Sequence, residues 1–203
     1  MNLGDCRLLY VLACIGLALI IVSPTLAMFV RLPGSESFSE LWILGPGHMA
    51  EGYPFNVGAN EAYKIYLGVG NHMGGSEYYV VYVKLRNQTG SLPDNVNETP
   101  SSLPPLFEYR FFVRDQETGE RQVLFSFGDV SFDGNTSRVQ TLTLNGLSIN
   151  VNESAAWDQT NSDFYYQLFF ELWLYNAALS GFQYHNRFVG IRLNMTIPFQ
   201  NPK

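Results

Sequence analysis

Cysteine is nearly missing from this chain. Its two copies, Cys6 and Cys14, lie at or inside an apolar N-terminal segment, and residues 31–203 contain none. That excludes a disulfide scaffold or a cysteine-ligated zinc module for the bulk of the chain, whose stability must come from an ordinary hydrophobic core. Charge is sparse as well. The 12 Lys and Arg against 18 Asp and Glu leave a net charge of −6, unchanged without the first thirty residues because Asp5 and Arg7 cancel. No Lys/Arg cluster is present, and nucleic-acid binding needs one to neutralise phosphates, so no nucleic-acid partner is expected.

The usual signatures of catalysis are missing too. His48, His72 and His185 show no His-x-x-x-His spacing, and no Cys-x-x-Cys pair exists, so no metal ligand set is marked out. No serine sits in Gly-x-Ser-x-Gly, and the glycine-rich passage Gly68–Gly75 lies between two predicted strands rather than opening a helix. Asp133-Gly-Asn135 and Asp158-Gln-Thr-Asn-Ser-Asp163 offer loop oxygens, but neither fits a regular calcium loop and ordinary turn chemistry is the default. The expectation is a protein that is not an enzyme and carries no cofactor.

One long uncharged run is present. Leu8–Val30 would span roughly 34 Å as a helix, enough to cross a bilayer, and Arg7 before it favours a cytoplasmic N-terminus. A cleaved signal peptide with Thr25-Leu26-Ala27 at its cleavage site is the alternative, and a lipid-modified Cys14 a weaker one. All three place residues 31–203 outside the cytoplasm. Five N-x-[ST] acceptor patterns, at Asn87, Asn97, Asn135, Asn152 and Asn194, fit that address, against about two expected by chance in a chain of this composition.

The remainder reads as strands. From Glu61 to Arg86, Tyr63, Ile65, Leu67 and Val69 share one face, as do Tyr79, Val81, Val83 and Leu85 after the glycine-rich turn, with Tyr82, Lys84 and Arg86 opposite. Phe38–Leu44 is a first strand. Phe107–Val113 and Arg121–Phe127 are predicted to form a hairpin around Asp115–Gly119, and Thr141–Leu144 and Leu147–Val151 another around Asn145-Gly146. Phe164–Tyr175 alternates with period two and is rich in aromatics, which favours a strand over a helix. In the closing strand Phe188–Ile197, Val189, Ile191, Leu193, Met195 and Ile197 point inward and Asn194 outward. Asn87–Pro105, with four prolines, is loop.

Three passages carry a resemblance: Phe38-Ser-Glu-Leu-Trp-Ile-Leu-Gly-Pro-Gly, Ala50-Glu-Gly-Tyr-Pro-Phe-Asn-Val-Gly and Gly68-Val-Gly-Asn-His. Together they resemble a mostly archaeal family of membrane proteins known only as domain of unknown function 1616. The resemblance implies an archaeal, cell-surface, immunoglobulin-like domain and no activity. At Asn71-His72, where it is tightest, Asn71 is expected to take a positive φ and bond its own backbone while His72 pins the turn to a neighbouring strand.

The fold expected is all-β, an immunoglobulin-like β-sandwich of about seven to nine strands preceded by one N-terminal transmembrane helix. The domains are 1–30 (cytoplasmic stub and anchor, or signal sequence), 31–37 (linker) and 38–203 (extracytoplasmic sandwich). Most of the aromatics are read as core. Phe169, Glu171 and Trp173 share the outer face of their strand and are the candidate contact patch. The function expected is that of a single-pass, glycosylated surface protein, anchored through residues 8–30. It would act as an interaction or accessory subunit on a protein partner in the same envelope or on itself. The alternatives are a carbohydrate-binding or adhesion module, and a structural component of a surface layer or filament whose sheet edge accepts a neighbour's strand.

Overall fold

The computed structural model describes residues 10–18 and 36–195. The chain divides into two units, Met1–Ser37 and Phe38–Lys203. In the first, residues 10–18 are helical. The rest of the expected span Leu8–Val30 lies outside the described residues, and no helix among those described is long and apolar enough to cross a membrane.

Among the described residues of the second unit the regular elements are all strands: β1 (Phe38–Leu44), β2 (Asn56–Val57), β3 (Tyr63–His72), β4 (Glu77–Arg86), β5 (Phe107–Val113), β6 (Thr118–Asp133), β7 (Thr136–Leu144), β8 (Leu147–Asp158), β9 (Asp163–Asn176) and β10 (Gly181–Met195). The ten strands are continuously hydrogen-bonded into one curled sheet, where seven to nine strands in a sandwich were expected. One limb runs β1-β3-β6-β7-β8 and the other β5-β4-β9-β10-β2. They join where Trp157 and Asp158 of β8 pair with Phe164 and Asp163 of β9. Their inward faces share one core: Ile65, Leu67, Phe125, Phe127 and Leu142 from the first limb meet Tyr79, Phe111, Tyr166, Phe170 and Leu193 from the second. Each such side chain, fully withdrawn from water, contributes about 1.5–3 kcal/mol.

The alternation in β3, β4 and β9 is the alternation that builds this core, and 164–175 is strand. Two local connections cross between the limbs, the second of them where a hairpin was predicted. β3 and β4 belong to different limbs, so the glycine-rich turn between them crosses the core instead of closing a ladder. Similarly, β5 and β6 form no hairpin. β5 pairs with β4, and β6 with β3 and β7. Asp115–Gly119 is a turn by composition, but the inward aromatics on both flanking strands are buried by facing each other across the core, which pairing side by side would prevent. The β7–β8 hairpin forms as predicted: Leu144 pairs with Leu147, and Asn145 and Gly146 take φ of 48° and 85°, the left-handed pair of a tight hairpin turn.

Candidate contact surface

Residues 87–106 connect β4 to β5 as a long strap, although these two strands are neighbours in the sheet. It leaves β4 at Arg86, whose guanidinium donates to the carbonyls of Asn87 and Gln88. Asn87 and Gln88 then donate their side-chain amides to the carbonyls of Ser154 and Ala156 on β8. At the far end of the strap, Asn95 accepts from the Tyr184 hydroxyl at 3.2 Å and, through its carbonyl, from the Asn186 amide at 3.3 Å. The strap therefore ties together the outer faces of β4, β8 and β10.

Under its return stretch lies a closed polar group. Lys84 Nζ sits 2.8 Å from a Glu171 carboxylate oxygen, and both side chains are buried. Ser101 completes the set: its backbone N–H donates to Glu171 at 2.9 Å and its carbonyl accepts from Lys84 at 2.8 Å. The Trp173 indole donates at 3.2 Å to the same Glu171 oxygen that meets Lys84, while Ser101 takes the other. A buried ion pair recovers its desolvation cost only when its remaining hydrogen-bonding sites are filled in this way. Phe169 is fully buried beside it, opposite Gly190, where a Cβ would fall 2.9 Å from the Cβ of Phe169.

This corrects the sequence reading of the contact patch. Phe169, Glu171 and Trp173 do share the outer face of β9, but that face is not free. Phe169 and Glu171 are completely buried and Trp173 is half-buried, with Tyr82 and Tyr184 packed against its ring. Period-two alternation reports which face a side chain takes and not whether another segment covers that face.

The part of the limb that stays open lies one row further along. Phe112 of β5, Tyr78 of β4, Tyr175 of β9 and Phe182 of β10 form a row across four strands. Tyr78, Tyr175 and Phe182 cluster with ring centroids 5.2–6.2 Å apart. Arg110 donates to the Tyr78 hydroxyl at 2.9 Å and lies over the Phe182 ring, and Glu108 holds its other side at 2.7 Å. Those two partners raise the guanidinium's already high pKa, so Arg110 is a permanent cation here. Phe112 is 72% exposed and Tyr175 38%. Beside this row is a cleft of about 290 Å³ lined by Glu77, Tyr175, Asn176, Gln183, Tyr184 and His185. Burial raises the Glu77 pKa, while burial and then Arg187 lower that of His185.

Asn71, near the end of β3, is completely buried. It donates to the carbonyls of Gly75 and Val113 at 2.7 and 2.8 Å and accepts from Met73 N–H and the Tyr79 hydroxyl. All four hydrogen-bonding positions of its amide are filled, so one side chain fastens both limb crossings, β3 to β4 and β5 to β6. Because the Tyr79 proton goes to Asn71, Ser39 must donate to Tyr79, and His185 Nε2–H to Ser39. The left-handed conformation expected of Asn71 falls instead on Gly74, at φ 84°. His72 stacks on Phe38 and meets Gln116 at 3.1 Å. On the outer face of the first limb, Trp42 lies flat on Gly68, where a Cβ would come within 2.1 Å of its indole ring.

The strand-turn-strand frame that these residues build coincides with a family match. The model described as "Domain of unknown function (DUF1616)" matches residues 33–171. The chain belongs to this family. Trp42, Gly68, Asn71 and Glu171 all lie inside the DUF1616 match, whereas Tyr175 and Phe182 lie beyond its end. No curated protein matches the chain. Among solved structures it is similar to a beta-glucosidase from Listeria innocua, in complex with gluconolactone (10% identity, TM-score 0.40) and with glucose (8%, 0.41). In each case 79% of this chain is covered and only 16% of the other, and likeness of that degree carries no argument about what the chain does.

The five acceptor patterns of the DUF1616 chain fall in different settings. Asn97, Asn135 and Asn152 are exposed; Asn135 is in the β6–β7 turn and Asn152 has φ 50° beside a bulge in the β7–β8 ladder. Asn87 and Asn194 are half-buried. Asn87 Oδ1 accepts from the Thr89 hydroxyl and N–H, and Asn194 Oδ1 accepts from Arg192 Nε. Asp158 and Asp163, weighed above as loop oxygens for calcium, face Arg192, which lies 3.0 Å from Asp163 and 3.6 Å from Asp158. Sequence reasoning missed Ser101 and Arg110. Nothing local distinguishes either, since each takes its role from a strand or strap brought to it by the sheet.

Proposed function

We propose that this DUF1616 protein is a non-enzymatic interaction subunit of a cell envelope. It would be held in the membrane by residues 8–30 and present residues 38–203 outside as an immunoglobulin-like sandwich, with the two limbs as its layers. An archaeal surface is the setting that the family resemblance implies, and the exposed Asn97, Asn135 and Asn152 are the favoured glycan acceptors. The observation that carries the interaction reading is the open aromatic row, Phe112, Tyr78, Tyr175 and Phe182, with Arg110 fixed over it. Contiguous aromatics, exposed at Phe112 and Tyr175 and half-buried at Tyr78 and Phe182, with an arginine among them are the composition of protein contact surfaces. Crosslinking with mass spectrometry on native membranes tests it. The expected result is one recurrent foreign neighbour linked near residues 108–112 and 175–183, lost in a Phe112→Ser/Tyr175→Ser variant that folds normally. No reproducible foreign neighbour, or one indifferent to that variant, rules it out.

A carbohydrate-binding role is the second reading, favoured by the polar cleft of about 290 Å³ that adjoins the row. Sugar rings stack on aromatic faces while Asn, Gln and Glu take their hydroxyls. It expects glycan-array binding that vanishes with Tyr175→Ser, and a blank array removes it.

A further inference from the structure

We propose that the seam between β1 and β10 receives an extended peptide segment of a partner protein, which adds as a strand to the free edge of β10. The segment is about five residues long, the length of that free edge, and is apolar at alternate positions. The inference does not rest on what the aromatic row binds.

Hydrogen bonds around the seam fix the direction of its main-chain groups. Asn71 donates its N–H to the Glu117 carbonyl and accepts at its own carbonyl from Gln116 N–H, so its groups point away from β1. Ser39, which stands opposite Asn71, therefore turns its groups away from β3, and by alternation so do Leu41 and Ile43. The Ile43 carbonyl agrees, since it accepts from the Tyr53 hydroxyl at 2.8 Å. On β10, Asn194 donates its N–H to the carbonyl of Phe55, which leads into β2, and the β9–β10 register runs unbroken from Arg187 to Met195. Phe188, Gly190 and Arg192 accordingly turn their groups away from β9. Among the described residues no strand pairs with either edge at these positions. Unpartnered edges template further pairing unless they are short, covered or blocked.

The seam is bounded at both ends. At one, His185 Nε2–H donates to Ser39 at 3.0 Å, beside a bulge between Tyr184 and Arg187. At the other, β2 lies along Asn194 and Met195, where its buried Val57 joins the core. Between them Phe188–Arg192 is free, roughly 17 Å of strand. A groove of about 350 Å³ opens there, lined by Leu41, Ile43, Tyr53, Phe55, Val189 and Ile191. Leu41 and Val189 are packed against the core but only half-buried. Val57 covers the core at the top of the seam, and no described residue does the same for these two. Main-chain donors and acceptors flanked by apolar side chains are matched by an extended peptide, whose backbone takes the edge while alternate side chains cover Leu41 and Val189. A lipid chain would cover the same side chains and leave the polar groups of the edge unpaired.

Amide exchange by NMR and peptide binding test this on the full chain in mild detergent. In the free chain Phe188, Gly190 and Arg192 are expected to exchange fast, and Val189 and Ile191, bonded to β9, slowly. The probe is a phage-displayed library of random heptapeptides selected on the chain. Selected peptides are expected to alternate apolar residues and to slow exchange at Gly190. N-methylation of their alternate amides, made in both phases, is expected to weaken binding about tenfold or more in one phase, although every side chain is kept. Filling the groove with Val189→Trp is expected to weaken it as much. Phe112→Ser/Tyr175→Ser is expected to leave it unchanged, which separates failure of the aromatic-row reading from failure of this one. Slow exchange at Gly190 in the free chain would mean that the chain already holds this edge itself, and overturns the proposal. So does a library that yields no binder, or binding indifferent to N-methylation, the mark of a plain apolar pocket. Self-association lost in Val189→Trp would give the groove to a second copy and overturns it too. The N-methylation comparison uses the unaltered chain, so it decides the matter even where Val189→Trp fails to fold.

Discussion

Along β9 the outward-facing side chains divide into two populations. Phe169 and Glu171 are sealed beneath the strap with every polar atom partnered, whereas Tyr175, four residues beyond Glu171 on the same face, is exposed to solvent and to whatever binds there. Both halves are aromatic, and both carry a charged residue bound to its neighbours. The difference is that Lys84 and Glu171 are matched by backbone groups of Ser101, so the chain covers that half itself. In the open half Arg110 is matched only by side chains, Tyr78 and Glu108, and no main-chain segment seals it. A strap that fastens down one half of a face while leaving an aromatic row beside it defines the edge of a docking area. It also makes the covered half a matter of stability and the open half a matter of binding.

The sharpest way to break this division is to unpair the buried ions. Lys84→Met leaves the Glu171 carboxylate without its cation and is expected to cost about 3–5 kcal/mol in urea unfolding. Lys84→Met/Glu171→Leu is expected to recover most of that loss, because two apolar side chains need no partners. If the single and double variants are equally unstable, the pair is not what holds the strap. Next in size is a matched truncation. Phe169→Ala is expected to lose about 3–5 kcal/mol by opening a cavity, while Phe112→Ala stays within about 0.5 kcal/mol of wild type. Equal losses at the two positions would erase the distinction between the halves.

Much of this was legible beforehand and some was not. Alternation in Tyr63–Val69, Tyr79–Leu85 and Tyr166–Leu174 marks the inward faces correctly, because burial on one side of a sheet imprints a period of two directly on the sequence. Asn145-Gly146 announces its own turn, since both residues tolerate positive φ. Partner choice is different. Whether β5 lies beside β6 or beside β4 depends on side chains forty residues away, such as Asn71 reaching Val113, and the local turn composition at Asp115–Gly119 is compatible with either. The contact patch failed for the same reason: a proline-rich stretch reads as loop, and nothing in 87–105 says that Ser101 will dock on Glu171. The covered residues were identifiable as outward-facing, and their cover was not.

A smaller effect is expected at the strap's far end. Asn95→Ala removes the acceptor of the Tyr184 hydroxyl and is expected to cost about 0.5–1.5 kcal/mol. Tyr184, whose pKa burial pushes up to about 12, stays protonated across the working range and keeps seeking an acceptor. Limited proteolysis should then cut the strap of the variant faster than that of wild type, with the open aromatic row unaffected. Unchanged cleavage would mean that Asn87, Gln88, Ser101 and the Asn95 carbonyl hold the strap without the Tyr184 bond.

The smallest expected effect is a slope. His185 is held neutral by burial and then by Arg187, so its folded pKa lies below the ordinary 6.5. As pH falls below 6.5 the unfolded chain takes up a proton that the folded chain resists, and stability declines with acid. Burial acts in the opposite sense on Glu77 in the same cleft and on Glu153. Their folded pKa values lie above 4.5, so their contribution is present at low pH and is lost as pH rises through those values. The histidine part is isolated by difference: His185→Gln, which can still donate to Ser39, should show a shallower acid decline than wild type while the carboxylate part is common to both. Identical slopes would mean that His185 takes up its proton equally in the folded and unfolded chain, so that burial and Arg187 do not hold it neutral. The direction of the Ser39–Tyr79–Asn71 chain does not depend on that outcome, because the neutral Nε2–H tautomer and the cationic ring both donate to Ser39.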